Sequence, residues 1–175
     1  MSNLRLLNET TGTSVYTISV TDVFTSDFDI YKIVLYSSSA SEKEDHLRFI
    51  NSSGSVISSS NYDYAQLFLR SYASFSEVND TSDDKLRLIT GSEDNFGGNA
   101  VIYVFNPNSA SSYTFLLSQM SRGYDYANNN NFSFNSNKNI GVLKETNSIA
   151  GFHIYNSAGT SSDYTAKTYG LRVDT

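Results

Sequence analysis

The chain has 175 residues, 39% of them hydrophobic and 17% charged, with a formal net charge of −6 and a pI near 4.7. Its 12 Lys and Arg are scattered singly, which argues against nucleic acid; no apolar run approaches the ~20 residues that span a bilayer. The absence of cysteine excludes disulfides, thiolate chemistry and Cys-type zinc sites.

With 30 Ser and 18 Asn the chain is rich in small polar residues, yet its 13 Tyr and 11 Phe speak against disorder, because disordered segments are poor in aromatics. The opening stretch, MSNLRLLNETTGTS, lacks the apolar segment of about 7–15 residues that marks a secretory signal. Export by the standard route is not expected, and release by cell lysis would need no signal.

Turn signals divide the chain into strand-length segments, and none carries the apolar stripe of a helix. SVYTISV (14–20) places Tyr16, Ile18 and Val20 on one face with a period of two. IYKIVLYS (30–37) is apolar at nearly every position, which predicts a strand covered on both faces or central in a sheet. HLRFI (46–50) sets Leu47 and Phe49 against His46 and Arg48, so one face should be buried and His46 should look towards solvent. It runs into NSSGS, a turn that supplies Asn and Gly where positive φ is needed. Further strands are predicted over 62–69, 85–90, 99–105, 112–120, 139–145, 148–155 and 164–173. The Asp-rich stretch 77–84 and the Asn-rich stretch 124–139 read as loops. Short strands at such regular spacing predict an all-β, antiparallel β-sandwich in preference to a barrel. No shift in composition suggests a linker, so 1–175 reads as a single domain.

The tetrapeptide YDYA occurs twice, at 62–65 and 124–127. The flanks, SSSNYDYAQLFLRSY and MSRGYDYANNNNFSF, share little else, and a duplication would extend over a whole supersecondary unit. The first copy should enter a core strand with at least one tyrosine packed, whereas the second should open a loop.

Residues able to carry chemistry are few. His46 and His153 are the only histidines, each lies in a predicted strand, and no Gly-x-Ser-x-Gly elbow accompanies them. Carboxylates cluster at Glu42, Glu44 and Asp45, and again at Glu77, Asp80, Asp83 and Asp84. Acids crowded in turns ordinarily stay solvated; glycoside hydrolysis needs two carboxyls across a cleft, one with a raised pKa. Asp80, Asp83 and Asp84, or Glu93, Asp94 and Asn95, are candidate oxygen ligands for calcium, the one candidate ion, although neither stretch has EF-hand spacing. Tyr124, Tyr126, Phe132 and Phe134, with Asn128 and Asn129, form a candidate aromatic platform for a glycan or a partner. Alternating aromatics are also what a half-buried strand displays.

The segment FDIYKIVLYSSSASEKEDHLRFINSSGSVISSSNYDYA resembles a pattern in small bacteriophage virion proteins, in which a "Y-x-Y/K-I-V-L" strand precedes a polar turn and an "L-x-L/R-F" strand. AVIYVFNPNSASSYTFLLSQ is similar to that family's strand ending in Asn-Pro, and NSIAGFHIYNSAGTSSDYTAKTYGLRV to its closing run. The similarity covers roughly residues 4–173. It implies a jelly-roll-like β-sandwich of a tailed-phage particle, a capsid decoration or tail fibre subunit, and it brings no catalytic residues.

Among the recurring positions, Pro107 should end a strand with Asn106 held extended before it. Gly151 and Gly170 should mark a bulge or a close backbone approach, and the Tyr169 ring should lie over Gly170. The expectation is therefore a non-enzymatic virion protein without cofactor, made in the host cytoplasm. It would contact other capsid or tail subunits and form a homo-oligomer, with a trimer as the expected form. A carbohydrate-binding module that recognises host-surface glycans is the alternative. A small glycan-cleaving enzyme comes third, since the chain is short for a β-helical depolymerase and no acid pair stands out.

Overall fold

A computed structural model describes residues 4–39, 44–71, 73–90, 97–125 and 132–172, among which every regular element is a strand. In chain order these are β1 (Leu4–Val15), β2 (Thr17–Val20), β3 (Ile30–Ser39), β4 (Glu44–Asn51), β5 (Tyr62–Arg70) and β6 (Ser76–Asp83). They continue with β7 (Leu86–Thr90), β8 (Gly98–Phe105), β9 (Thr114–Asp125), β10 (Phe132–Leu143), β11 (Ile149–Asn156) and β12 (Ser162–Leu171). All pairings are antiparallel. They build an eight-stranded sheet in the order β1-β12-β3-β8-β9-β10-β5-β6 and a four-stranded sheet in the order β2-β11-β4-β7. The two sheets form a β-sandwich, as the alternating pattern predicts.

The core lies between the sheets. Tyr31, Ile33 and Leu35 of β3, Ile102 and Val104 of β8, and Tyr164 and Ala166 of β12 meet Leu47 and Phe49 of β4 and Phe152 and Ile154 of β11. These are alternate residues, because successive side chains of a strand point to opposite faces. Both tyrosines of the first YDYA are buried. The Tyr62 hydroxyl accepts from the Phe49 amide and donates to the Ile57 carbonyl, both at 3.0 Å.

Several expectations need correction. β1 begins ten residues before the first predicted strand, and its edge position allows the polar run NETTGTS. Tyr16 does not share a buried face with Ile18 and Val20; Ser14 takes a positive φ of 53°, the strand breaks, and Tyr16 is exposed. The Asp-rich stretch is not a loop but edge strand β6, whose polarity blunts a free edge. The Asn-rich stretch is a strand from Phe132 onward, since β10 pairs along its whole length with β9. Of the two readings of the apolar segment 30–37, the structure bears out the second: β3 is central in the large sheet, with Tyr36 exposed on the outside.

At Pro107 the strand does end, but Asn106 is left-handed (φ 56°) rather than extended. Asn tolerates this region better than most residues, and the turn is pinned by its amide donating to the Asp29 carbonyl at 3.0 Å. A Cβ on Gly151 would lie 2.0 Å from the Val20 carbonyl oxygen, so two backbones touch there, beside a register shift between Ile149 and Gly151. What covers Gly170 is the Phe28 ring, 2.6 Å from a Cβ built there, and not Tyr169, which points to the other face of β12.

Candidate functional site

Of the expected aromatic platform, only the Phe134 side chain belongs to the described residues. Tyr126, Asn128 and Asn129 lie outside the described residues, as do Glu42, Glu93, Asp94 and Asn95. Tyr124 is the residue before the last of β9 and Phe132 begins β10, where the two strands pair. Phe134 is half exposed on the outer face of the large sheet.

The predicted calcium acids do not converge. Asp80 is exposed on β6, while Asp83 and Asp84 face cations of the chain itself. The Lys85 ammonium lies 2.7 Å from Asp83 and 3.0 Å from Asp84, and Arg48 pairs with Asp84. Among the described residues no three His, Asp or Glu side chains are grouped to hold a metal.

This ionic cluster sits on the outer face of the small sheet and explains why His46 is not solvated. His46 does face away from Leu47, as alternation requires, but it is 6% exposed under the Tyr155 ring, with centroids 5.3 Å apart. Burial, aided by Lys85, lowers its pKa to about 4, so near neutrality it is uncharged beside Glu44. His153 shares a 2.8 Å hydrogen bond with Ser19 and stacks on Tyr155. Burial lowers its pKa as well, and Arg48 adds to the effect. Among the described residues no carboxylate hydrogen-bonds to His153, so the Ser–His pair has no third member to orient it as a base.

Between the sheets lies a polar seam that sequence reasoning missed. Asn135, Asn137 and Asn139 of β10 all point inward, beside Ser118 and Arg122 of β9 and Gln66 of β5. Asn139 donates to the Leu88 carbonyl and the Ser118 hydroxyl, and Gln66 donates to the Arg87 carbonyl. Strand β7 is an edge of its sheet, and side chains of the opposite sheet thus serve its carbonyls. The signal was present in the sequence as Asn at every second position.

Further along, Asp45 is fully buried and accepts from the Tyr164 hydroxyl at 2.9 Å. Burial raises its pKa to about 6, against the opposing pull of Ser37, Tyr164, His46 and Arg122. A single buried carboxyl between sheets has neither the second carboxyl nor the cleft that glycoside hydrolysis requires.

The feature that core packing does not explain is the outer face of the large sheet. Register aligns its outward side chains in rows across the strands. One row runs Leu171, Ile30, Phe105, Phe115 and Val142 from β12 to β10. The next runs Tyr169, Lys32, Tyr103, Leu117, Ile140 and Ala65 from β12 to β5. Leu4 and Leu6 of β1 extend the two rows. Ile140 is 58% exposed, Phe115 45% and Leu67 42%. A groove of about 540 Å³ lies on this face, floored by Phe105, Phe115, Leu117, Ile140 and Val142 and bordered by Asp63 and Asn79. Antiparallel sheets with one solvated face ordinarily carry polar residues there.

Compared with known proteins, the chain matches no protein-family profile and no curated protein.

Proposed function

We propose that this protein is a non-enzymatic structural subunit of a bacteriophage particle, a capsid-surface or tail accessory component, and that the open face of its large sheet is the surface that joins it to neighbouring subunits. One observation carries this reading. Strands β3 and β8 contain apolar runs suited to burial on both faces, yet the chain covers only one. A largely apolar band across seven strands, β1 to β5 in sheet order, exceeds the isolated hydrophobics that any soluble surface shows.

The strand order supports the phage-like, jelly-roll form of the resemblance. Taking β2 to β7 as the first six strands of a jelly roll and β11 as the last, the small sheet follows the first-last-third-sixth order of that fold. The large sheet follows the partner order, with the seventh strand expanded into the β8-β9-β10 meander and with β12 and β1 added at its margin.

The test is to purify intact particles of the phage that encodes the chain and to quantify it by mass spectrometry. A fixed copy number per particle is expected. Recovery only from the soluble lysate would overturn the reading.

A further inference from the structure

On the inward side of β1, turned away from the open apolar face, a polar groove of about 240 Å³ lies between that strand and the segment 21–28 leading from β2 to β3. We propose that this groove binds one neutral hexopyranose unit of a glycan, held by Arg5, Asn8, Asp22 and Asp27 against the ring of Phe28.

Both walls are set by the backbone. Residues 5 and 8 of a regular strand would point to opposite faces. A register shift between Leu6 and Asn8 undoes this: Arg5 pairs with Gly170 and Asn8 with Thr168, two residues that share the inward face of β12. The bulge thus brings both side chains to one side of the edge strand, the re-aiming that bulges supply beside sites. The opposite wall has no regular structure, yet the core holds it. Val23 and Phe24 are buried, and their amides donate to the Ala150 carbonyl at 2.9 and 3.0 Å. The Tyr31 hydroxyl accepts from the Thr25 amide and donates to the Thr25 carbonyl, both at 2.7 Å. Asp22 turns the chain with a positive φ of 54°, a region Asp tolerates better than most residues. A loop fixed in this way on a rigid scaffold is pre-organised to bind.

The lining has the chemistry of a sugar site. Among the described residues Arg5, Asp22 and Asp27 are all the charged residues that line the groove, and their side chains make no hydrogen bond or ion pair. Elsewhere acids that face a cation touch it, as Asp83 touches Lys85 and Glu9 touches Lys167. Here a guanidinium and two carboxylates share a groove without touching. Each sugar hydroxyl both donates and accepts; the carboxylates take its protons, and Arg5 and the threonine hydroxyls donate to its oxygens. The Asn8 oxygen already accepts from Thr10 at 2.8 Å, which leaves its amide nitrogen to donate. Phe28 supplies an apolar surface for the C–H face of the pyranose. Three of its ring atoms lie 2.6–2.8 Å from a Cβ built on Gly170, so one face of the ring is seated on a backbone that only glycine leaves bare, and the rest of it lines the groove. One positive and two negative groups disfavour phosphate, sulfate and acidic sugars. Among the described residues no three His, Asp or Glu side chains are grouped to hold calcium. The volume falls below the ~300–1,000 Å³ of sites for larger molecules, which suits a single ring.

Titration of the full chain with the methyl α-glycosides of glucose, galactose and mannose, followed by amide-resolved NMR, tests the proposal. At least one of them should bind with a Kd of about 0.1–10 mM, with shifts confined to residues 5–8 and 21–28. Arg5→Ala and Asp27→Ala should each raise Kd about tenfold, because each removes a hydrogen bond to a charged group. Glu77→Ala, on the far edge of the large sheet, should leave it unchanged. No shift with any of the glycosides up to about 50 mM, shifts that map elsewhere, or unaltered affinity in both variants would overturn the assignment. So would a preference for glycine, whose ammonium and carboxylate match the same charges, or for calcium. If either variant fails to fold, the map of shifts on the wild type still decides. Recovery of the chain from particles does not depend on this groove, so the two readings fail separately.

Discussion

Asn139 of β10 donates to the carbonyl of Leu88 on β7 at 2.8 Å, a polar stitch between the two sheets within the buried polar seam. The same amide nitrogen reaches the Ser118 hydroxyl at 2.9 Å. Two residues away, the Asn137 side chain is equally buried, and neither its oxygen nor its nitrogen has a hydrogen-bond partner among the described residues.

These neighbours should respond oppositely to one substitution. Asn139→Leu strands a buried carbonyl and should cost about 1–3 kcal/mol, whereas Asn137→Leu removes an unsatisfied amide and should be neutral or stabilising. Urea denaturation of both variants measures the contrast. Equal losses would show that the seam works through packing alone.

Tyr62 offers a similar test. Its hydroxyl both accepts from Phe49 and donates to Ile57, so Tyr62→Phe leaves two buried backbone groups without their partner. A loss of about 1–3 kcal/mol in thermal or chemical denaturation is expected, with the fold retained.

Two glycines should differ sharply. A methyl group at Gly151 would overlap the Val20 carbonyl, so Gly151→Ala must push β11 and the end of β2 apart. It should cost more than about 3 kcal/mol or prevent folding. Gly54 has a φ of 81° but open space around it, so Gly54→Ala meets only the backbone penalty of about 1 kcal/mol. Melting temperatures of the two variants give the comparison.

Asp45 and His46 oppose each other in their effect on stability with pH. Burial lifts Asp45 from 3.8 to about 6, so between those values the folded chain holds a proton that the unfolded chain has released. Its contribution is therefore present below about pH 4 and is lost as pH rises through about 6. His46 is lowered from 6.5 to about 4, so its contribution is present above pH 6.5 and is lost as pH falls towards 4. Relative to wild type, Asp45→Asn should grow more stable as pH rises from 4 to 6, and His46→Gln less stable over the same range. Urea midpoints at half-unit pH intervals would show this, and parallel curves for all three proteins would refute it.

Much of the architecture was legible in the chain. The apolar run at 30–37 identified a central strand, and the alternation of Leu47 and Phe49 with His46 and Arg48 identified a strand and its inward face. Two kinds of residue misled. Asn at 135, 137 and 139 reads as loop by propensity, yet it serves as the polar lining of a central strand, because tertiary hydrogen bonds outweigh β-propensity. His46 reads as solvated by alternation, yet Tyr155 from a neighbouring strand covers it.

The sequence alone therefore determined that the chain is all-β and, where alternation is regular as in 46–50, which residues share a face of the strand. Only the tertiary structure decided which strands are neighbours, and with that which side chains line up across them. A period of two assigns a residue to one side of its strand, but it carries no information about what that side meets. Lys167 and Glu77 stand 90 positions apart in the chain and fall in one row because six successive antiparallel registers place them there. The open apolar face exists for the same reason. Each outward Phe, Leu or Ile is unremarkable in its own strand, and only pairing gathers them into one surface.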